Sequence, residues 1–234
     1  LSATVKPIQQ KLGTLGKALI VGASLSLLLA PLAPITSAPA NAASPASATA
    51  ALNKLLVKGR APKTGYDRDL FSDGWGNQPN GCDSRQFVLI RDLKNVKMRP
   101  DETCIVASGQ LLDPYTGKTI NFVRGVKTSL AVQIDHVVAV SDAWQKGAQS
   151  LSARARYSFY NDPLNLLAVD GPTNSSKGDS DAASWLPPNK AYRCAYVARQ
   201  VAVKLKHKLW VTAAEKAAIA NVLAKCPKQT LPGN

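Results

Sequence analysis

Acidic side chains are scarce in this chain of 234 residues: 15 Asp and Glu stand against 29 Lys and Arg, a formal net charge of +14. The imbalance favours a polyanionic partner, nucleic acid or another anionic surface, and says nothing about fold. No Cys-x-x-Cys pair occurs among the four cysteines at 82, 104, 194 and 226, which argues against a zinc ribbon. The twelve-residue calcium-loop pattern is missing from the Asp- and Gly-rich stretch at 64–76. No Gly-x-Ser-x-Gly elbow and no internal repeat occur. The apolar run at 18–29 is short for a spanning helix and closely followed by proline, which leaves an uncleaved anchor as the lesser alternative.

That run has another reading. Lys6, Lys11 and Lys17 precede it, and small residues broken by proline follow it as far as Ala40-Asn41-Ala42. This is the pattern of a signal peptide over residues 1–42, with cleavage expected after Ala42. The protein is then secreted, and nothing is expected to hold it at a membrane after cleavage. Residues 43–60, rich in Ala and Ser, read as a flexible lead-in with helical tendency near 50–56. The folded domain is expected over 61–234.

Export makes the even cysteine count legible as two disulfides. Residues 191–206 carry Tyr192, Tyr196, Val197, Val201 and Leu205 at helical spacing, and a second helix over 212–224 opens with the capping box Thr212-x-x-Glu215. A short connection lays the two antiparallel, which brings Cys194 beside Cys226 and leaves Cys82 for Cys104. Each bridge contributes about 3 to 4 kcal/mol in the chain-entropy account.

The middle of the chain predicts an α+β fold. A helix is expected over 86–93, then β-prone segments at 96–98, 104–108 and 119–123, the last entered by the turn Asp113-Pro114-Tyr115-Thr116-Gly117. A β-branched run at 131–138 precedes helical segments at 141–144 and 152–160. Asn161-Asp162-Pro163 stops the second. A short buried strand at 165–170 leads through Gly171-Pro172 to a helix capped by Thr173 and running toward Trp185. Between 182 and 214 there is no acidic residue, while Lys190, Arg193, Arg199, Lys204, Lys206 and Lys208 supply six cations for phosphates. No base-reading motif accompanies them, so little sequence specificity is expected.

The chemistry is expected at Gln133-Ile134-Asp135-His136-Val137-Val138 and at the later Asn165, Asn174 and Lys177. A neutral histidine takes a proton from water near neutral pH. A hard divalent cation prefers oxygen ligands and keeps several waters. Asp135 and His136 are neighbours on a strand and point to opposite faces, so they share a site only where the strand ends and twists.

The chain resembles the HNH endonucleases of the ββα-metal class, and in particular the secreted proteins related to the C-terminal domain of GmrSD-type restriction enzymes. The resemblance is carried by Gly65-Tyr66-Asp67-Arg68, Gly81-Cys82-Asp83-Ser84-Arg85, Asp113-Pro114-Tyr115-Thr116-Gly117, Gln133-Ile134-Asp135-His136-Val137-Val138, Asn161-Asp162-Pro163-Leu164-Asn165-Leu166-Leu167 and Trp185-Leu186-Pro187-Pro188-Asn189. It implies a ββα-metal core within a mixed domain, hydrolysis of phosphodiesters in DNA, with RNA open, and a divalent metal. His136 would be the general base, Asp135 and Asn174 the metal ligands, Asn165 a brace for the loop around His136, and Lys177 a contact to phosphate or leaving oxygen. Asn174 stands where the family name has a histidine, which favours Mg or Mn over zinc. The alternative is a non-catalytic exported nucleic-acid-binding or surface protein that keeps the fold. His207 reads as a surface residue or a weak phosphate contact, and Asp179 and Asp181 as helix-start carboxylates. Asp67, Arg68, Asp83 and Arg85 fit either a salt-bridge network or a substrate wall.

Overall fold

The computed structural model describes residues 46–232, and the leader expected at 1–42 lies outside them. Ala48, Ala51, Leu52 and Leu55 are spaced to share one helical face, and they are buried along α1 (Ala48–Leu52) and the turn after it. The segment expected as a flexible lead-in therefore packs against the two C-terminal helices and belongs to the core. Among the described residues, no helix is long and apolar enough to cross a membrane.

Asp83 caps α2 (Ser84–Asp92) by accepting from the Gln86 amide at 2.7 Å. Three antiparallel strands follow in the order β1 (Lys94–Met98), β2 (Val106–Leu112), β3 (Thr119–Val123). The β2–β3 turn hangs on Asp113, which is fully buried and accepts from the amides of Tyr115 and Thr116. The same carboxylate accepts from the Asp170 amide at 3.0 Å, so it fastens the turn to a distant strand end.

That strand belongs to the second sheet. β4 (Val132–His136) and β5 (Leu166–Asp170) pair antiparallel from Val132↔Asp170 to His136↔Leu166, with α3 (Val140–Gln145) and α4 (Ala153–Tyr160) between them. β5 is covered on both faces: Leu167 and Val169 join a cluster with the C-terminal helices, while Leu166 and Ala168 pack with α2 and the three-stranded sheet. Each of the leucines and the valine contributes about 1.5 to 3 kcal/mol by leaving water. α5 (Gly171–Lys177) starts directly from β5. Its cap is Asp170 rather than Thr173, with the Asp170 carboxylate accepting from the Thr173 amide at 2.8 Å. Glycine is required at 171, since a Cβ there would lie 2.1 Å from the Leu130 carbonyl oxygen. The helix ends at Gly178, which adopts φ +51°, well short of Trp185.

α6 (Arg193–Lys206) and α7 (Ala213–Leu223) complete the chain, joined start to end by Cys194–Cys226; the second disulfide is Cys82–Cys104. Thr212 caps α7 as expected, but Glu215 does not turn back to close a capping box. It is buried and ion-paired with Lys146 at 2.6 Å and Lys204 at 2.9 Å. Asp142 and Asp181 complete the cluster: Lys146 pairs with both, at 2.7 and 2.6 Å, and Arg60 bridges both from the rim, at 2.8 and 2.7 Å. Three cations thus meet three carboxylates, and the cluster carries no net charge.

This corrects the reading of 182–214 as a continuous phosphate-holding face. Lys204 is interior, Lys206 pairs with Asp162 at 2.9 Å, and Arg199 donates to the Leu164 carbonyl at 2.7 Å. His207 is no surface residue; it is nearly covered and bonded to Asp162 at 2.6 Å. Asp181 belongs to the buried cluster instead of opening a helix. Replacing Glu215 by Ala leaves two buried ammonium groups short of a counter-charge. Urea unfolding of that variant is expected to show a loss of about 3 to 5 kcal/mol.

Candidate functional site

His136, Asp135 and Asn174 line one cleft of about 220 Å³, whose walls also include Arg68, Gly178 and Asp179. Asn165 and Lys177 do not line it. The pairing of β4 stays regular to its last residue, so Asp135 and His136 do leave on opposite faces; the strand ends at His136, and both reach the cleft there.

The imidazole of His136 is buried, with the Trp75 indole stacked at 5.7 Å and 10° and the Tyr160 ring at 4.4 Å. Its Nε2 lies 2.9 Å from the Tyr160 carbonyl oxygen. A carbonyl only accepts, so Nε2 carries the hydrogen and Nδ1 keeps a lone pair. Burial, reinforced by the Arg68 guanidinium and the Lys177 ammonium, pushes the imidazole from its ordinary 6.5 down to about 3, with the Tyr160 carbonyl working the other way. The ring is therefore neutral at physiological pH.

Trp75 and Tyr160 are held in place by Asn161. Its side-chain oxygen accepts from the Gly76 amide at 2.7 Å and the Ser84 hydroxyl at 2.9 Å, and its carbonyl accepts from Gln78 at 2.8 Å. The 72–84 loop is thereby fastened to the end of α4. Gly76 permits that approach, because a Cβ there would meet the Tyr157 hydroxyl at 2.0 Å.

Asp135 is gripped from two sides. Lys177, itself buried, donates to Oδ1 at 2.8 Å and to the His136 carbonyl at 2.8 Å, while the buried Tyr115 hydroxyl donates to Oδ2. The ammonium of Lys177 consequently faces the interior, not a substrate. Asp135 raises the Tyr115 hydroxyl further above its usual range, where burial has already driven it. Each carboxylate oxygen retains a second lone pair. Asn174 commits its amide nitrogen to Gln133 Oε1 at 2.9 Å, which orients the amide and leaves Oδ1 as the available acceptor. The cleft thus offers two hard oxygen donors, a set suited to Mg or Mn with retained waters and unlike a zinc site. Among the described residues, no group of three or more His, Cys, Asp and Glu side chains is arranged to hold a metal.

Asn165 is fully buried beside the strand end. Its side chain accepts from the Val138 amide at 2.9 Å and donates to the Val138 carbonyl at 3.3 Å, and its own carbonyl accepts from Val137 at 2.8 Å. It clamps the two residues after His136. Of the four residues that fit either a network or a wall, Asp67 and Asp83 are helix caps and Arg85 donates to the Val132 carbonyl at 3.3 Å. Arg68 alone reaches the cleft, its guanidinium over the Tyr160 ring at 5.1 Å. Tyr115, Gln133, Trp75 and Tyr160 received no role from the sequence. Tyr115 and Gln133 lie inside motifs that carry the family resemblance, and their long-range contacts to Asp135 and Asn174 are a signal that spacing alone does not give.

The class these features define is a mixed α+β protein with a histidine, a carboxylate and an amide gathered at one strand end. The chain belongs to the family of GmrSD restriction endonucleases, C-terminal domain, whose model matches residues 83–222. The match makes it nuclease-related. It is also 38% identical over 210 residues to an "uncharacterized secreted protein" of Arthroderma benhamiae, covering 89% of this chain and 98% of that one. No solved structure matches it.

The low proton affinity of His136 gives a stability test. Between pH 6.5 and about 3 the unfolded chain binds a proton at this residue that the folded chain refuses. The stabilisation is complete above pH 6.5 and is lost as pH falls toward 3. Going from pH 7 to 4.5, His136→Gln is expected to lose about 3 kcal/mol less in urea unfolding than the parent protein.

Proposed function

We propose that this chain is a secreted, divalent-metal-dependent endonuclease of the HNH type that hydrolyses phosphodiester bonds in nucleic acid with little sequence specificity. One observation carries the reading: a neutral imidazole with a single directed lone pair shares a cleft with two oxygen donors, at the junction of β4, β5 and α5. Two strands followed by a helix support the ββα-metal reading. The family match and the name of the fungal relative support nuclease chemistry and export.

His136 Nδ1 takes the proton from an attacking water, and Tyr160 holds the ring in the tautomer that allows it. Asp135 and Asn174 would hold the cation, which when bound neutralises charge on the phosphate and leaving oxygen. Lys177 and Tyr115 fix the Asp135 carboxylate, and Asn165 fixes the backbone on the far side of His136. All three are positioning residues. Arg68, exposed at the cleft mouth, draws a phosphate toward His136.

A second reading has its own support. Both oxygens of Asp135 already accept from protein groups, as they would in a non-catalytic exported nucleic-acid-binding or surface protein that retained the fold. Plasmid incubated with purified protein separates the two. Nicking that requires Mg or Mn, stops with EDTA and falls by about 100-fold or more in His136→Ala supports the enzyme. Cleavage that His136→Ala leaves intact overturns the assignment. Asn165→Ala is expected to lower the rate while binding of plasmid in EDTA stays the same.

A further inference from the structure

Lys204 and Lys206 of the acid-free segment are ion-paired, while two of its other cations, Lys190 and Arg193, lie together with Lys225 from the end of the chain. Lys190, Arg193 and Lys225 make no salt bridge among the described residues. All three border a groove of about 570 Å³ between α7, the start of α6 and the segment that follows α5. Ala182, Leu186 and Val222 give it an apolar lining beside Cys194 of the second disulfide, and no carboxylate lines it. Lys190 and Lys225 are exposed, while Arg193 is partly buried and anchored on the Pro187 carbonyl at 2.8 Å.

The groove is close to the cleft. Gly178 and Asp179 wall the cleft and Ala182 walls the groove, three residues further along the same segment. Three residues span at most about 11 Å. A polymer lying in the cleft is therefore within reach of the groove.

We propose that this groove binds an unpaired stretch of the nucleic-acid strand beside the scissile phosphate, with bases against the apolar lining and phosphates on Lys190, Arg193 and Lys225. The proposal rests on the nuclease reading for the identity of the polymer. The chemistry of the groove selects the form. Cations with no carboxylate nearby suit a polyanion, and an apolar lining suits base faces, which a strand offers only when its bases are unstacked. A duplex would present phosphates and leave the apolar lining unmatched. The favoured substrate is single-stranded DNA or RNA, or a duplex frayed at the point of cutting.

The test is binding of a fluorescein-labelled twelve-nucleotide oligothymidylate to the full chain in EDTA, read by anisotropy over a salt series. Lys190→Glu/Lys225→Glu is expected to weaken binding by about tenfold or more and to reduce the slope of log K against log salt by about 1.4, because two lysines no longer neutralise phosphates of a single strand. Lys94→Glu/Lys97→Glu on exposed β1 makes the same change in net charge and should move the slope much less. Ala218→Phe, which fills the groove without altering charge, is expected to weaken binding with the slope unchanged. Equal losses in the two charge variants, or equal affinity for a twelve-base-pair duplex, overturn the proposal. Failure of the parent protein to bind the oligonucleotide does so too. Binding that follows the groove variants in a protein that cleaves nothing leaves the groove standing and overturns the enzymatic reading.

Discussion

The contact between Lys177 and Asp135 holds the candidate site together. An ammonium at the last turn of α5 reaches back to a carboxylate on β4 and, with the same nitrogen, to the carbonyl of the next residue. Both partners are buried, so either charge alone would be strongly disfavoured. The pair therefore fixes the height of α5 over the strands. Asn174 lies one turn before Lys177 on the same helix, and Gln133 lies two residues before Asp135 on the same strand. Their hydrogen bond repeats the strand-to-helix link at the cleft. Tyr115 closes the arrangement from the other sheet, and Asp113 positions Tyr115 through the turn that it also ties to β5.

Charge in the largest buried ionic cluster is handled by local neutrality. The cluster of Arg60, Lys146 and Lys204 with Asp142, Asp181 and Glu215 joins the segment after α1 to α3, α6, α7 and the loop beyond α5. A basic sequence is thus a poor guide to a basic surface. Formal charge counts Lys204 and Lys190 alike, yet one neutralises a buried carboxylate and the other stands in solvent at the rim of a groove.

What is legible in the sequence follows from local chemistry. β3 and α4 are short periodic segments with clear turn residues at their ends, and both disulfides follow from placing two helices side by side. Asp135, His136 and Asn174 do meet at one cleft. The misreadings have a common cause in long-range partners. Lys177 reads as a contact to phosphate because nothing adjacent in sequence shows that Asp135 is waiting for it. Residues 48–55 look loose because their apolar face is short and half of it is alanine, and only α6 and α7 give it something to pack against. Glu215 fits a capping box by spacing, but two buried lysines compete for it more strongly than a backbone amide.

On the proposed reading, the carbonyl of Tyr160 would have a kinetic consequence. A histidine backed by a carboxylate can hold its second proton, because the carboxylate stabilises the imidazolium. A backbone carbonyl gives orientation with far less of that stabilisation, and here burial and two neighbouring cations oppose the charged ring as well. On that reading, a proton taken at Nδ1 would be held only briefly. The ring would be a reluctant base and then a strong acid, able to return its proton to the first acceptor in reach, so recovery of the resting state would not limit turnover.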